Sequence, residues 1–148
     1  DWSSDVCSSD LMLTVLATAA KEFNGHTHAI VNIGDQIALN SNSNSGFLYM
    51  QAHLDREFFG WLYPLVEFNW FHYNASGNHG IPAAVGEGDG HINFGTSNIV
   101  GNDFTTVAIG AKAKIRPNLE LGAVWERPIS VRHDLMLDRI TAELILRY

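Results

Sequence analysis

Histidines are the side chains in this sequence with the clearest potential for metal chemistry. His26 and His28 lie two residues apart, and His72, His79 and His91 lie around one long polar stretch. None has the close spacing of a zinc motif such as HExxH, and the single cysteine adds no thiolate cluster. We therefore expect ordinary loop or pore-lining histidines, with no metal site and no cofactor.

The run GEGDG at 86–90 is a second candidate for chemistry. Two carboxylates at this spacing could share one cation, but a calcium loop needs more ligands and a terminal Glu. The run is not a dinucleotide-binding fingerprint either, because no helical pattern follows it. We expect a flexible, solvated loop here.

Alternation of apolar and polar residues is the dominant pattern of the chain, and it is clearest in DRITAELILRY at 138–148. Such period-two alternation predicts strands with one apolar and one polar face. Segment 11–23 shows it least clearly, and by propensity it could be the end of a helix. The predicted strands are 11–23, 27–39, 46–58, 61–73, 104–116, 119–129 and 138–148.

The connections between these strands alternate in length, which is typical of an up-and-down barrel in a bacterial outer membrane. Connections 24–26, 59–60 and 117–118 are short, whereas 40–45, 74–103 and 130–137 are long and polar. The predicted strands, at 11–13 residues, are also long enough for a tilted membrane strand, which needs about 9–11. Aromatic residues near the strand ends predict interfacial belts: Phe23, Phe58, Trp61, Trp70, Phe104, Trp125 and Tyr148.

In the predicted strands, the residues at every second position are mostly polar, and these residues together predict a lumen. Charges of both signs on adjacent strands can pair and fill a small barrel, or line an aqueous channel in a larger one. Strand number decides between these structural and transport uses, so both stay open. The lumen-facing candidates are His53, Asp55, Glu57, Glu67, Lys112, Lys114, Glu120, Glu126, Arg139, Glu143 and Arg147, with His28, Gln36, Gln51, Asn69 and Arg116 beside them.

The last strand resembles the sorting signal of bacterial outer-membrane barrels, with alternating apolar residues and a terminal aromatic: Ile140, Ala142, Leu144, Leu146 and Tyr148. The segments PLVEFNWFHY, INFGTSNIVGNDFTTVAIGAKAKIRPNLELGAVWERPIS and DLMLDRITAELILRY also resemble poorly characterised outer-membrane barrels of Gram-negative environmental bacteria. This resemblance covers about the last two-thirds of the chain. It implies a location in the outer membrane, contact with its lipids and lipopolysaccharide, and recognition of the last strand by the barrel-assembly machinery.

One enzymatic alternative follows from the same resemblance. Outer-membrane lipid A deacylases are small barrels that use a Ser, a His and an acidic residue at the outer rim, in a motif close to His-x-Ser-Asn. Here His72 is followed by Asn74 and Ser76, with Glu87 beyond, so the order departs from that motif. We therefore expect no enzyme activity.

The first ten residues, DWSSDVCSSD, resemble the in-frame translation of a short-read sequencing adapter. On this interpretation residues 1–10 are a non-native tail and 11–148 are the C-terminal part of a barrel domain. Without the three Asp residues of the tail, the formal charge is −4 rather than −7. The acidic balance excludes a basic nucleic-acid footprint and predicts no nucleic-acid partner.

The sequence thus predicts an all-β, antiparallel up-and-down transmembrane barrel, incomplete, with about seven long strands in a curled open sheet. Seven alternating strands leave the first and last pointing the same way, whereas bacterial barrels have an even strand number. The expected function is porin-like or transport-associated passage of small solutes. The alternatives are a non-conducting structural or adhesive surface barrel and, third, a lipid A-modifying rim enzyme. The sequence leaves the oligomeric state and the solute open.

Overall fold

The computed structural model describes residues 11–39, 44–87, 93–134 and 136–148. In this part of the chain every regular element is a strand: β1 (Met12–Phe23), β2 (Thr27–Ala38), β3 (Gly46–Arg56), β4 (Leu62–Ala75), β5 (Asp103–Arg116), β6 (Leu119–Pro128) and β7 (Arg139–Leu146). No helix among the described residues is long and apolar enough to cross a membrane. The adapter interpretation of residues 1–10 lies outside the described residues.

The seven strands form one antiparallel sheet in sequence order, β1 to β7. The sheet is open, because β1 and β7 each pair with one neighbour in the part of the chain that the structure describes. Since all six pairings are antiparallel and the strand number is odd, β1 and β7 run in the same direction. The all-β antiparallel class predicted from the sequence is confirmed.

The alternation also predicts where the strands lie. Each observed strand overlaps its predicted segment and differs at the ends by one or two residues. The helical alternative for segment 11–23 is wrong, because all twelve residues of β1 pair with β2 in continuous register. Here the cross-strand pairing outweighs the helix propensity of a short apolar segment.

Tight turns join the strands at one end of the sheet, which we call the turn end. Asn24 and Gly25, the first two residues of the three-residue connection 24–26, both have positive φ, 54° and 68°, as the central residues of a type I′ turn require. Phe59 and Gly60 adopt the same pair of conformations, with φ of 57° and 74°. The long connections all lie at the opposite end, the loop end, so the two ends of the sheet differ in structure as the loop lengths predict.

Side chains from distant strands meet over one face of the sheet, which we call the inner face. His28 on β2 and Glu120 on β6 line a common cavity. Four strand spacings of about 4.8 Å would separate their backbones by about 19 Å in a flat sheet. The sheet therefore curls toward its inner face, and the other face, the outer face, is convex.

Candidate functional site: the inner face of the sheet

The strand register places the predicted lumen residues on the inner face. His53, Glu67, Glu126 and Arg139 share one cross-strand row, with Ala108 between them. The remaining candidates within the strands occupy alternate positions that point to the same face. Glu57 and Arg147 lie just beyond the ends of β3 and β7. The structure thus brings together the charged groups that the sequence alternation singled out.

A buried carboxylate joins three strands near the loop end of this face. Glu126 on β6 is 6% exposed and accepts a hydrogen bond from Asn69 Nδ2 at 3.0 Å. Thr106 Oγ1 donates to the same carboxylate oxygen, and Arg139 Nε donates to the other oxygen at 2.9 Å. Thr106 carries no charge and was not among the sequence candidates, although its inward parity could have identified it. The paired and hydrogen-bonded carboxylate satisfies the conditions for burying a charge.

Two further ion pairs lie nearer the turn end and are more exposed. Lys112 Nζ lies 2.9 Å from Glu143 Oε1, which links β5 to β7 across β6. Arg147 donates to Glu120, and this hydrogen bond raises the pKa of the Arg147 guanidinium above its ordinary value. Lys112, Glu143 and the Glu126 network together line a polar cavity of about 250 Å³. Charges of both signs therefore meet in pairs along this face.

Histidines and carboxylates alternate in a row across β2, β3 and β4. His28 Nδ1 lies 2.6 Å from Asp55 Oδ1, and His53 Nε2 lies 3.0 Å from Asp55 Oδ2. The other ring nitrogen of His53 lies 2.8 Å from Glu67 Oε1. We call these four residues the His–carboxylate row. The sequence placed all four on the polar parity, but their mutual contacts depend on the register of three strands.

The inner face at the loop end is packed with aromatic and other apolar side chains, and the Tyr73 hydroxyl donates a hydrogen bond to Asp134 Oδ2 at 2.9 Å. Phe47, Tyr73, Ile99, Phe104 and Met136 form one buried cluster. The Phe47 ring lies edge-on to the Phe71 and Tyr73 rings, with centroids 5.7 Å and 6.1 Å away. Ile99 and Met136 come from the long connections, so both connections pack against this end of the sheet.

Phe104 corrects one sequence expectation. We expected it in an interfacial belt, but it is 1% exposed and packs in the inner cluster. It lies directly opposite Phe71 in the register of β4 and β5. Its parity is that of the inner face, so its position in the alternation outweighs its position near a strand end.

Hydrogen bonds hold the long connection after β4 against the sheet. Asn93 Nδ2 donates to the Ser45 carbonyl at 2.6 Å, and Asn93 Oδ1 accepts from the backbone amides of Ser45 and Gly95. Thr96 N donates to Glu87 Oε1 at 3.0 Å, and Glu87 is 2% exposed. The expectation of a solvated loop is therefore wrong for Glu87. Residues 88–92 of the GEGDG region and its flank, including His91, lie outside the described residues.

The residues of the enzymatic alternative make their contacts elsewhere. His72 Nδ1 bonds Asp103 Oδ1 at 2.9 Å, at the loop end of the outer face. Ser76 Oγ accepts from the amides of Ile99 and Val100, and Glu87 caps the Thr96 amide. These three side chains therefore do not form a hydrogen-bonded Ser–His–acid arrangement.

The outer face is apolar and exposed along the middle of the strands. Ile33, Ile109 and Leu144 are 51%, 52% and 59% exposed, from β2, β5 and β7. Its charged residues lie near the strand ends, as with Lys21 over the Phe23 ring and Arg56 over the Phe58 ring. The predicted assembly residues Ile140, Ala142, Leu144 and Leu146 lie on this face of β7, and Tyr148 follows the strand fully exposed.

Comparisons with protein-family models, with curated proteins and with solved structures find no match for this chain. Among the described residues, no group of three or more His, Cys, Asp or Glu side chains is arranged to hold a metal ion. The His–carboxylate row is linear, so its oxygen and nitrogen atoms do not converge on one point. The function is therefore argued from the two faces of the sheet.

Proposed function

We propose that this chain forms part of a bacterial outer-membrane β-barrel whose inner face lines a passage for small polar solutes. One observation carries the proposal: a continuous exposed apolar outer face lies opposite a polar inner face along the same seven strands. Soluble proteins rarely expose contiguous apolar patches larger than a few hundred Å². Contact with lipid explains why the apolar outer face is exposed, and contact with water explains the ion pairs on the inner face.

The positions of the outer aromatic residues fit the thickness of a membrane. Trp61 lies in the turn just before β4, and Trp70 lies near the loop end of β4. Nine residues at about 3.4 Å each span about 31 Å along the strand. At a tilt of about 40°, this distance is about 24 Å along the membrane normal, close to the apolar band of about 25 Å in such barrels.

Indole hydrogen bonds at the loop end fit an interfacial position as well. Trp70 Nε1 donates to Asp103 at 3.0 Å, and Trp125 Nε1 donates to Asp138 at 3.2 Å. A tryptophan at a membrane interface places its ring toward the lipid and its N–H toward a polar partner. The turn end carries its own exposed aromatic residues, among them Phe59 and Tyr148.

Barrel closure requires strands in addition to the seven. Because β1 and β7 run in the same direction, direct pairing of the two would be parallel. An odd number of further strands between them restores antiparallel pairing throughout, and hydrocarbon does not tolerate unpaired strand edges. We therefore propose closure by at least one further strand.

A pair of arginine substitutions tests the membrane proposal. Ile109 lies mid-strand and Ile115 lies beside a tight turn, and both side chains are 52% exposed. In a bilayer, Ile109→Arg should destabilise the folded protein by about 2–4 kcal/mol and Ile115→Arg by at most about 1 kcal/mol, because the cost depends on depth. Urea unfolding of the complete protein in phospholipid vesicles measures both. Equal, near-zero effects would contradict membrane insertion, since water treats two equally exposed sites alike.

A non-conducting surface barrel is the second candidate, and the packed loop end favours it. The aromatic cluster and the connection around Asn93 fill the inner face at that end. Single-channel conductance of the complete protein in a planar bilayer separates the two. We expect discrete conductance steps for a passage, whereas a tight, insulating membrane at saturating protein would assign the protein to the non-conducting class.

A further inference from the structure

The His–carboxylate row contains more hydrogen-bonding contacts than two neutral histidines can supply with hydrogens. Its three N···O contacts, at 2.6, 3.0 and 2.8 Å, are all within hydrogen-bond distance. An ionised carboxylate accepts hydrogen bonds but donates none, and a neutral imidazole carries one N–H. Neutral His28 and His53 therefore supply two hydrogens for three contacts.

The missing hydrogen concerns His53, because both of its ring nitrogens face carboxylate oxygens. One faces Asp55 and the other faces Glu67. A lone pair on either nitrogen would point at an anionic oxygen at 3.0 Å or less. The third hydrogen must therefore be an added proton, held on the His53 ring or on one of the two carboxyl groups.

The row is partly enclosed, so the contacts are sheltered from water. The His53 and Asp55 side chains are 19% and 17% exposed, against 35% and 34% for His28 and Glu67 at the ends. Charged hydrogen bonds are stronger in such surroundings than in bulk water. The shelter comes from the curl of the sheet toward the inner face.

Charged neighbours of both signs surround the row. Acidic groups favour an added proton, whereas lysines oppose it. Glu22 lies opposite His28 on β1, and Gln51 and Asn69 flank His53 and Glu67. Further titratable groups that face the row from β3, β4, β5, β6 and β7 or from beside these strands are Glu57, Tyr63, Lys112, Lys114, Glu120, Glu126, Arg139 and Glu143.

We infer that the His–carboxylate row is a proton-dependent clamp on the inner face, which joins β2, β3 and β4 through one added proton. As the pH rises, the row loses this proton and a nitrogen lone pair then faces an anionic oxygen. The stabilisation is thus present while the added proton is bound and is lost when a rising pH removes it. The inference rests on the row's geometry and does not depend on solute passage.

Nuclear magnetic resonance of the complete protein, labelled with ¹⁵N in histidine and ¹³C in the carboxyl groups, tests the added proton. At about pH 8 most unperturbed histidines are neutral. We expect the row to show either a doubly protonated His53 ring or one protonated carboxyl at Asp55 or Glu67. His72 serves as the internal reference, because its ring makes a single carboxylate contact, with Asp103. Two neutral rings beside two ionised carboxylates in the folded protein would overturn the inference.

A variant comparison tests the clamp itself. The wild-type urea midpoint in vesicles should fall as the pH rises from about 6.5, the ordinary pKa of a histidine, towards about 9, because the folded state then keeps a proton that the unfolded state has released. His53→Gln should abolish most of that fall, whereas His72→Gln should retain it. A wild-type midpoint that is constant over this range would overturn the clamp even if the variant failed to fold.

Discussion

Glu126 shows how much stability a single inner-face residue can carry. Its carboxylate collects hydrogen bonds from Asn69, Thr106 and Arg139 while it is 6% exposed. A partner left unpaired in such a buried network costs more than the pair itself contributes. The side chain therefore matters more for what it satisfies than for its own charge.

We expect Glu126→Gln to lower the free energy of unfolding by about 3 kcal/mol, because Arg139 loses its charged partner and two donors face an amide. Urea unfolding in vesicles provides the measurement. Glu143→Gln is the matched control, since Glu143 is 41% exposed where it pairs with Lys112, and it should cost less than about 1 kcal/mol. Equal effects of the two substitutions would contradict a special role for the buried network.

At the scale of the elements, the long connection between β4 and β5 packs against the loop end of the sheet. The Asn93 side chain makes two hydrogen bonds that join this connection to Ser45 before β3, and one to the Gly95 amide within the connection. These bonds lie beside the aromatic cluster, so the connection is held by polar and apolar contacts together.

We expect Asn93→Ala to release this connection, because both the amide donor and the amide acceptor are lost. Limited proteolysis of the folded protein should then cut within 76–102 at least several-fold faster. Ser97→Ala, in the same connection, is the control, since its buried hydroxyl has no hydrogen-bond partner among the described residues. A cleavage rate that is equal in the two variants would show that the apolar cluster alone holds the connection.

At the scale of the whole molecule, the outer-membrane proposal gives the last strand a role in assembly. Tyr148 is fully exposed beyond the end of β7, so the fold does not require its side chain. On the outer-membrane proposal, the assembly machinery recognises Tyr148 together with the apolar residues at every second position of β7. In the full-length protein, Tyr148→Ser should lower the outer-membrane level several-fold and leave refolding in vesicles unchanged, as membrane fractionation and a refolding assay would show. Normal membrane abundance would contradict this role.

The open sheet has a further consequence at this scale. Its outer face exposes apolar side chains, and in the part of the chain that the structure describes the outward edges of β1 and β7 leave backbone N–H and C=O groups without a neighbouring strand. Such strand edges readily form hydrogen bonds with strands of another chain. We expect residues 11–148, expressed alone, to aggregate in buffer, as sedimentation would show. A heat-modifiable monomer in detergent, or antiparallel pairing of β1 with β7, would contradict the need for further strands.

The sequence by itself determined the strands, their order and the two faces. Successive side chains of a strand point to opposite faces, so alternation in DRITAELILRY or in β5 fixes which residues lie together. The loop lengths likewise predicted which end carries tight turns, because short connections need residues such as Asn24 and Gly25 that adopt positive φ. These features are local, and local covalent geometry decides them.

The tertiary structure alone decided which inner-face groups meet. Glu126 gathers partners from three other strands, and His53 lies between two carboxylates on β3 and β4. These contacts depend on register and curl, which arise from pairing between residues far apart in the sequence. For the same reason, the burial of Glu87 follows from the packing of the long connection at the loop end, which local alternation does not encode.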